Sequence, residues 1–202
     1  MTRRTSGRRS DSRRVERGKP TPEEKGLEME VDLRTPVVGV VMGSDSDLPT
    51  VQHCLELLEE FDVPYEVRVL SAHRTPEQVH QYASTARRNG LKILIAAAGG
   101  AAHLAGVLAS LTTIPVVGIP IQTETLGGQD SLFSTVQMPA GVPVATVAIG
   151  NAGAGNAALL AVEILALADE ELHARLLQFR ADQRRSVARK NEALRQRIAE
   201  AR

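Results

Sequence analysis

The sequence predicts an α/β fold in which a parallel sheet is covered by helices on both faces. Three observations carry that reading. Strand-like apolar runs alternate with helix-like periodicity from Val37 to about Leu167. The runs at 37–41 and 92–97 are almost continuously apolar, as strands buried on both faces are. Short loops rich in Gly, Ser and Asp separate each strand from the following helix, at the edge where open α/β sheets bind ligands.

Taken in order, residues 37–41 (VVGVV) form strand one. Leu48, Val51, Leu55 and Leu58 then recur at three- and four-residue spacing, which marks a helix. The alternation of Tyr65, Val67 and Val69 reads as a half-buried strand over 65–70. Pro76 suits the first position of a helix that runs to about Arg88 and buries Val79, Tyr82, Ala83 and Ala86. Gly90 ends it. Strand three covers 92–97 and is central. A helix follows over about 102–111, then strand four at 116–119, a helical stretch near 131–137, and strand five at 144–149. The segment 150–156 (GNAGAGN) reads as a loop opening a long apolar helix to about Leu167. Right-handed crossovers favour a doubly wound, flavodoxin-like sandwich.

Three regions follow. Residues 1–34 form a basic extension without apolar periodicity, expected to be disordered. Residues 35–168 form the α/β domain. Residues 169–202 form a helical arm with Leu172, Leu176 and Phe179 on one stripe, expected to pack on a neighbouring subunit. The net charge of zero conceals an asymmetry: residues 1–20 carry +6, residues 177–202 carry +5, and the stretch between carries −11. The N-terminal tail has no aromatic residue to stack on bases, so no nucleic-acid partner is expected. No apolar run is long enough for a membrane span, and no secretory signal is visible. One cysteine, Cys54, excludes an internal disulfide, fits a cytoplasmic chain, and falls in a helix core stripe. No His, Cys and carboxylate cluster has metal-ligand spacing. Few aromatics and short, Ala- and Gly-rich helices suggest an oligomer.

Two loops carry the chemistry. In Met42-Gly43-Ser44-Asp45-Ser46-Asp47, a glycine lets the backbone approach a ligand, and the serines and helix N-terminus suit phosphate. Asp47 suits sugar hydroxyls, and Ser46 or Asp47 also suits a plain helix cap. In Ser71-Ala72-His73-Arg74-Thr75-Pro76, a proton carrier stands beside a permanent positive charge, as chemistry on a small anion requires. Alone, His73 could equally satisfy a loop backbone.

Five stretches taken together resemble the PurE family of N5-carboxyaminoimidazole ribonucleotide mutases, roughly over residues 36–180. Besides those two loops they are Ala98-Gly99-Gly100-Ala101-Ala102-His103-Leu104, then Asp130-Ser131-Leu132-Phe133-Ser134 with Val136-Gln137-Met138-Pro139, and residues 150–160. The resemblance implies a three-layer α/β/α fold, a homo-octamer, and an isomerase of purine biosynthesis that needs no cofactor or metal. It implies a small ribonucleotide substrate and a functional coupling to the synthetase that makes it. His73 matches the catalytic histidine. Ser44, Asp47 and Arg74 match substrate-binding positions, Ser46 and Ser71 line the same pocket, Ala98 and Gly99 pack along the substrate, and His103 lies in the same motif. For His103 the residue types favour holding the glycine loop through a backbone hydrogen bond over assisting catalysis. His53, His80 and His173 read as ordinary helix residues.

The chain departs from the family pattern at Ala97, where glycine is common, and at Ala105, where proline is common. Ala97 is expected to narrow the pocket slightly. Three rivals stand beside this reading. A sister branch carboxylates aminoimidazole ribonucleotide directly and carries Lys-Gly where this chain has Arg74-Thr75. A distant relative carboxylates a pyridine nucleotide, and the complete Gly-Ser-x-Ser-Asp loop argues against it. The third is a non-catalytic binding module on the same fold.

Overall fold

The computed structural model describes residues 35–201. The basic extension read over 1–34 lies outside the described residues. Five parallel strands, β1 (Val38–Met42), β2 (Tyr65–Val69), β3 (Ile93–Ala98), β4 (Val116–Pro120) and β5 (Ala145–Thr146), form one sheet in the order β2-β1-β3-β4-β5. Val38 pairs with Tyr65 on one side and Ile93 on the other, and Leu94 pairs with Val116. This is the flavodoxin-like order, with its direction reversing between β1 and β3.

Alternation along the central strands divides the core into two layers. Val38, Val40, Met42, Ile93 and Ile95 pack with α1 (Leu48–Glu60) and α5 (Asn151–Ala166). Val41, Leu94 and Ala96 face α2 (Pro76–Ala86) and α3 (Leu104–Leu111). The second layer also holds α4 (Gln129–Val136), whose Thr135 lies over Gly118 of β4. Pro76 occupies the first turn of α2, and Gly90 follows that helix at φ +95°. Cys54 is fully buried in the first layer, and burial pushes its thiol up to about 12.

Three elements differ from the sequence reading. β2 is an edge strand rather than half-buried, with Val67 and Val69 exposed. Strand five shrinks to two residues because its ladder slips. Val147 N donates to Gly118 O and Gly150 N to Pro120 O, so three steps on one chain face two on the other. Pro143, just before it, has no N–H to offer. The segment 150–156 is not a loop, since α5 begins at Asn151. Gly153 serves close packing there: a Cβ on it would lie 1.6 Å from the Ala148 carbonyl oxygen.

The chain ends in α6 (Glu170–Glu200). It starts at Asp169, whose carboxylate accepts from Leu172 N at 2.9 Å. Leu172, Leu176 and Phe179 pack within the chain, with the Phe179 ring 5.3 Å from that of Phe61. Arg180 adds an ion pair to Glu163 of α5 at 2.6 Å. Beyond that point Val187, Leu194 and Ile198 are exposed. No described helix is long and apolar enough to cross a membrane.

Candidate active site

The carboxyl ends of β1 to β4 converge on a cavity of about 600 Å³. It spans the reversal point between β1 and β3, where crossovers leave to opposite faces and a crevice must open. All nine residues singled out in the sequence line it: Ser44, Ser46, Asp47, Ser71, His73, Arg74, Ala98, Gly99 and His103.

The loop after β1 forms a 3-10 turn over Asp45–Asp47. Ser44 caps it, accepting from Ser46 N at 3.3 Å and from the Ser46 hydroxyl at 2.8 Å. Asp47 stands at the cap position of α1 but bonds no helix N–H through its side chain. Ser44 therefore caps the 3-10 turn, while Asp47 holds the N-cap position of α1 without a side-chain capping bond. Burial pushes the Asp47 carboxyl above its ordinary value, and hydrogen bonds with Ser44 and Ser46 pull it partly back.

The loop after β2 also closes on itself. Thr75 Oγ1 accepts from Ser71 N at 2.9 Å and donates to Ser71 O at 3.1 Å. Ser71 Oγ accepts from Arg74 N and Arg74 Nε. The Arg74 guanidinium then reaches across to donate to Gly43 O at 2.9 Å, tying the two loops together. One edge of its planar fork is held by protein, which fixes where the charge points.

The loop after β3 brings in the second histidine. His103 Nδ1 lies 2.8 Å from His73 Nε2, with the rings nearly perpendicular. One of these nitrogens must donate and the other accept, so one proton sits in the contact. The His103 ring thus faces His73 and makes no side-chain cap bond at α3, contrary to the backbone-holding role expected of it.

Ala97 does not narrow the cavity. It is fully buried in the α1 and α5 layer, while Ala98 turns toward the site. Ala105 is buried on the other face, against Gly118. His53, His80 and His173 are exposed on helices. Among the described residues, no group of three or more His, Cys, Asp and Glu side chains is arranged to hold a metal ion.

Sequence reasoning missed the fourth wall: Ile121, Gln122 and Thr123, just after β4. The signal was present, because they follow the carboxyl end of a fully buried strand as the other site loops do.

Comparison with known proteins shows the family. The family described as AIR carboxylase matches residues 37–186. An N5-carboxyaminoimidazole ribonucleotide mutase of Pyrococcus abyssi is 56% identical over 155 residues, covering 77% of this chain and 88% of the relative. A chloroplastic phosphoribosylaminoimidazole carboxylase of Vigna aconitifolia is 52% identical over 172 residues, covering 85% of this chain but 30% of that longer protein. The crystal structure of Treponema denticola PurE superposes with a TM-score of 0.72 at 27% identity, covering 79% of this chain and 98% of that one. With a matching family profile over most of its length and relatives above half identity, this chain belongs to the AIR carboxylase family.

Proposed function

We propose that this protein is an isomerase of purine biosynthesis, converting N5-carboxyaminoimidazole ribonucleotide to 4-carboxy-5-aminoimidazole ribonucleotide. The observation that carries the reading is the His73–His103 contact beside Arg74, in one cavity walled by the loops after β1 to β4. Such a site offers a movable proton next to a permanent positive charge.

Each group then has a task. Protonated His73 gives its proton to the carbamate nitrogen as the N–C bond breaks and carbon dioxide leaves. The carbon dioxide is held in the cavity. Ring atom C4 attacks it, and neutral His73 removes the C4 proton, so the proton count closes. One group acts as acid and then as base near neutral pH, which suits histidine. Contact with His103 orients the His73 ring for both steps. Arg74 and the Ser44 turn take the 5-phosphate, and Asp47 accepts from ribose hydroxyls. Main chain at Gly43, Ala98 and Gly99 packs along the ring and excludes water.

A second reading is direct carboxylation of aminoimidazole ribonucleotide, as in the sister branch. Arg74-Thr75 argues against it. The Lys-Gly pair of that branch could make neither Thr75 bond to Ser71 nor the forked contact of Arg74. An absorbance assay without ATP separates the two. Product formation from N5-carboxyaminoimidazole ribonucleotide alone supports the mutase. Product chiefly from aminoimidazole ribonucleotide with bicarbonate would reassign the chain to the carboxylase branch.

The same reading includes a cytoplasmic homo-octamer working beside the synthetase that supplies its substrate. The free half of α6 and the exposed Phe133 and Val136 of α4 supply apolar surface for contacts between copies. Light scattering at eight times the 21.7 kDa chain mass supports that assembly, and a monomer mass would end it.

A further inference from the structure

The stretch Asp130–Ser134 lines no part of the cavity, yet it ties down two of its walls. Gly100 follows the cavity-lining Gly99 and sits at φ +66°. Its N–H donates to Ser131 Oγ at 3.0 Å, 31 residues further along the chain. Ser131 is fully buried, so this bond has no water to replace it. Gly100 O accepts from Ala102 N at 2.8 Å and lies 3.3 Å from Ser134 Oγ. Ser134 has one hydroxyl proton and a shorter contact to Asp130 O at 2.7 Å, so Ser131 is the firmer anchor. On the same turn, Asp130 Oδ1 accepts from the hydroxyl of Thr123, in the wall after β4.

From Gly100 the chain has little freedom before the histidine pair. Ala102 N bonds Gly100 O, and His103 N bonds Ala101 O at 2.8 Å. Two such tight turns fix where His103 begins α3, and so where its Nδ1 meets His73 Nε2. We infer that Ser131, with Ser134 in support, is a positioning residue. It acts through Gly100 to hold the loop that orients His73 and closes over the released carbon dioxide. This inference rests on the mutase reading.

The role predicts a specific failure. In Ser131→Ala, the N–C bond still breaks and the nitrogen still takes its proton from His73. A looser loop then lets carbon dioxide leave before C4 attacks. The product becomes aminoimidazole ribonucleotide plus free carbon dioxide. Thr135→Val is the control: Thr135 is also buried on α4, but its hydroxyl bonds only the Ser131 carbonyl.

The experiment measures kcat, KM and the ratio of ring-carboxylated to decarboxylated product for the parent, S131A, S134A and T135V. It also records the imidazole NMR signals of His73 and His103. S131A is expected to lose about tenfold or more in kcat, from a misplaced loop, with KM little changed. It should also raise the decarboxylated fraction and shift both ring signals. S134A, at a half-buried position that folds safely, should move the same way by less. T135V should lower the melting temperature but leave the product ratio and ring signals at parental values. Parental kcat, product ratio and ring signals in S131A would overturn the inference, as would equal changes in S131A and T135V. A parent that turned over no substrate would sink the mutase reading, and the ring signals would still decide whether Ser131 sets the histidine pair.

Discussion

The loops after β1 and β2 differ from the loop after β3 in how they are held. Ser44 bonds Ser46 two residues away, and Ser71 is locked by Thr75 and Arg74 within four. Each of those loops carries the groups that close it. The loop from Gly99 to His103 has no such side chain nearby, and its glycine is pinned from α4. A locally closed loop keeps its shape wherever its strand ends. A loop closed from a distance is only as well placed as the helix that holds it.

Substitutions can break or sharpen this contrast. The largest effect belongs to His73→Asn, which removes the proton carrier while leaving the Ser71–Thr75 closure intact. Steady-state kinetics should show a loss of about 10²–10⁴ in kcat, with an unchanged melting temperature. A near-parental rate would remove His73 from the chemistry. Next comes Arg74→Ala, which should raise KM about ten- to a hundredfold, or about 1.5–3 kcal/mol, through a lost charged contact. An unchanged KM would take the phosphate away from Arg74.

Glycine substitutions test the loops as structures. A Cβ on Gly100 meets no atom within 4 Å, but the φ of +66° makes Gly100→Ala cost about 1–2 kcal/mol. Thermal melts should show a drop of about 2–4 °C per kcal/mol. Gly43 is not among the positive-φ residues, and a Cβ there would lie 3.9 Å from its nearest neighbours. Gly43→Ala should therefore melt close to the parent. Equal drops would erase the difference between the loops.

The smallest effect is electrostatic. The folded-state value of Asp47 is raised by burial, so the ionised carboxylate opposes folding at neutral pH. That penalty is fully present above the folded value and disappears as pH falls through it toward the ordinary carboxylate range. Asp47→Asn should melt slightly above the parent at pH 7, with the gap closing on acidification. A gap that widened toward low pH would reverse the assignment.

The same contrast explains what could be read in the sequence. His73, Arg74 and Ser44 were legible because strand, loop and helix signals place them within a few residues of the sheet edge. Strand order followed from crossover rules acting on that alternation. The orientation of His103 was not legible, since it depends on a ring 30 positions away. Nor was the anchoring of Gly100 by Ser131, although both motifs were singled out. The shortened β5 and the early start of α5 depend on contacts with Gly118 and Ala148, which periodicity does not encode.

Gly43, Ala98, Gly99 and Ala101 give the cavity a stretch of wall made of small residues. A larger side chain at any of these positions would take up space that the substrate itself uses. An inhibitor that fills that space would give the protein few single-residue routes to resistance. One anchored on the Arg74 guanidinium could be escaped at a single codon, though only by a change that also weakens the hold on substrate.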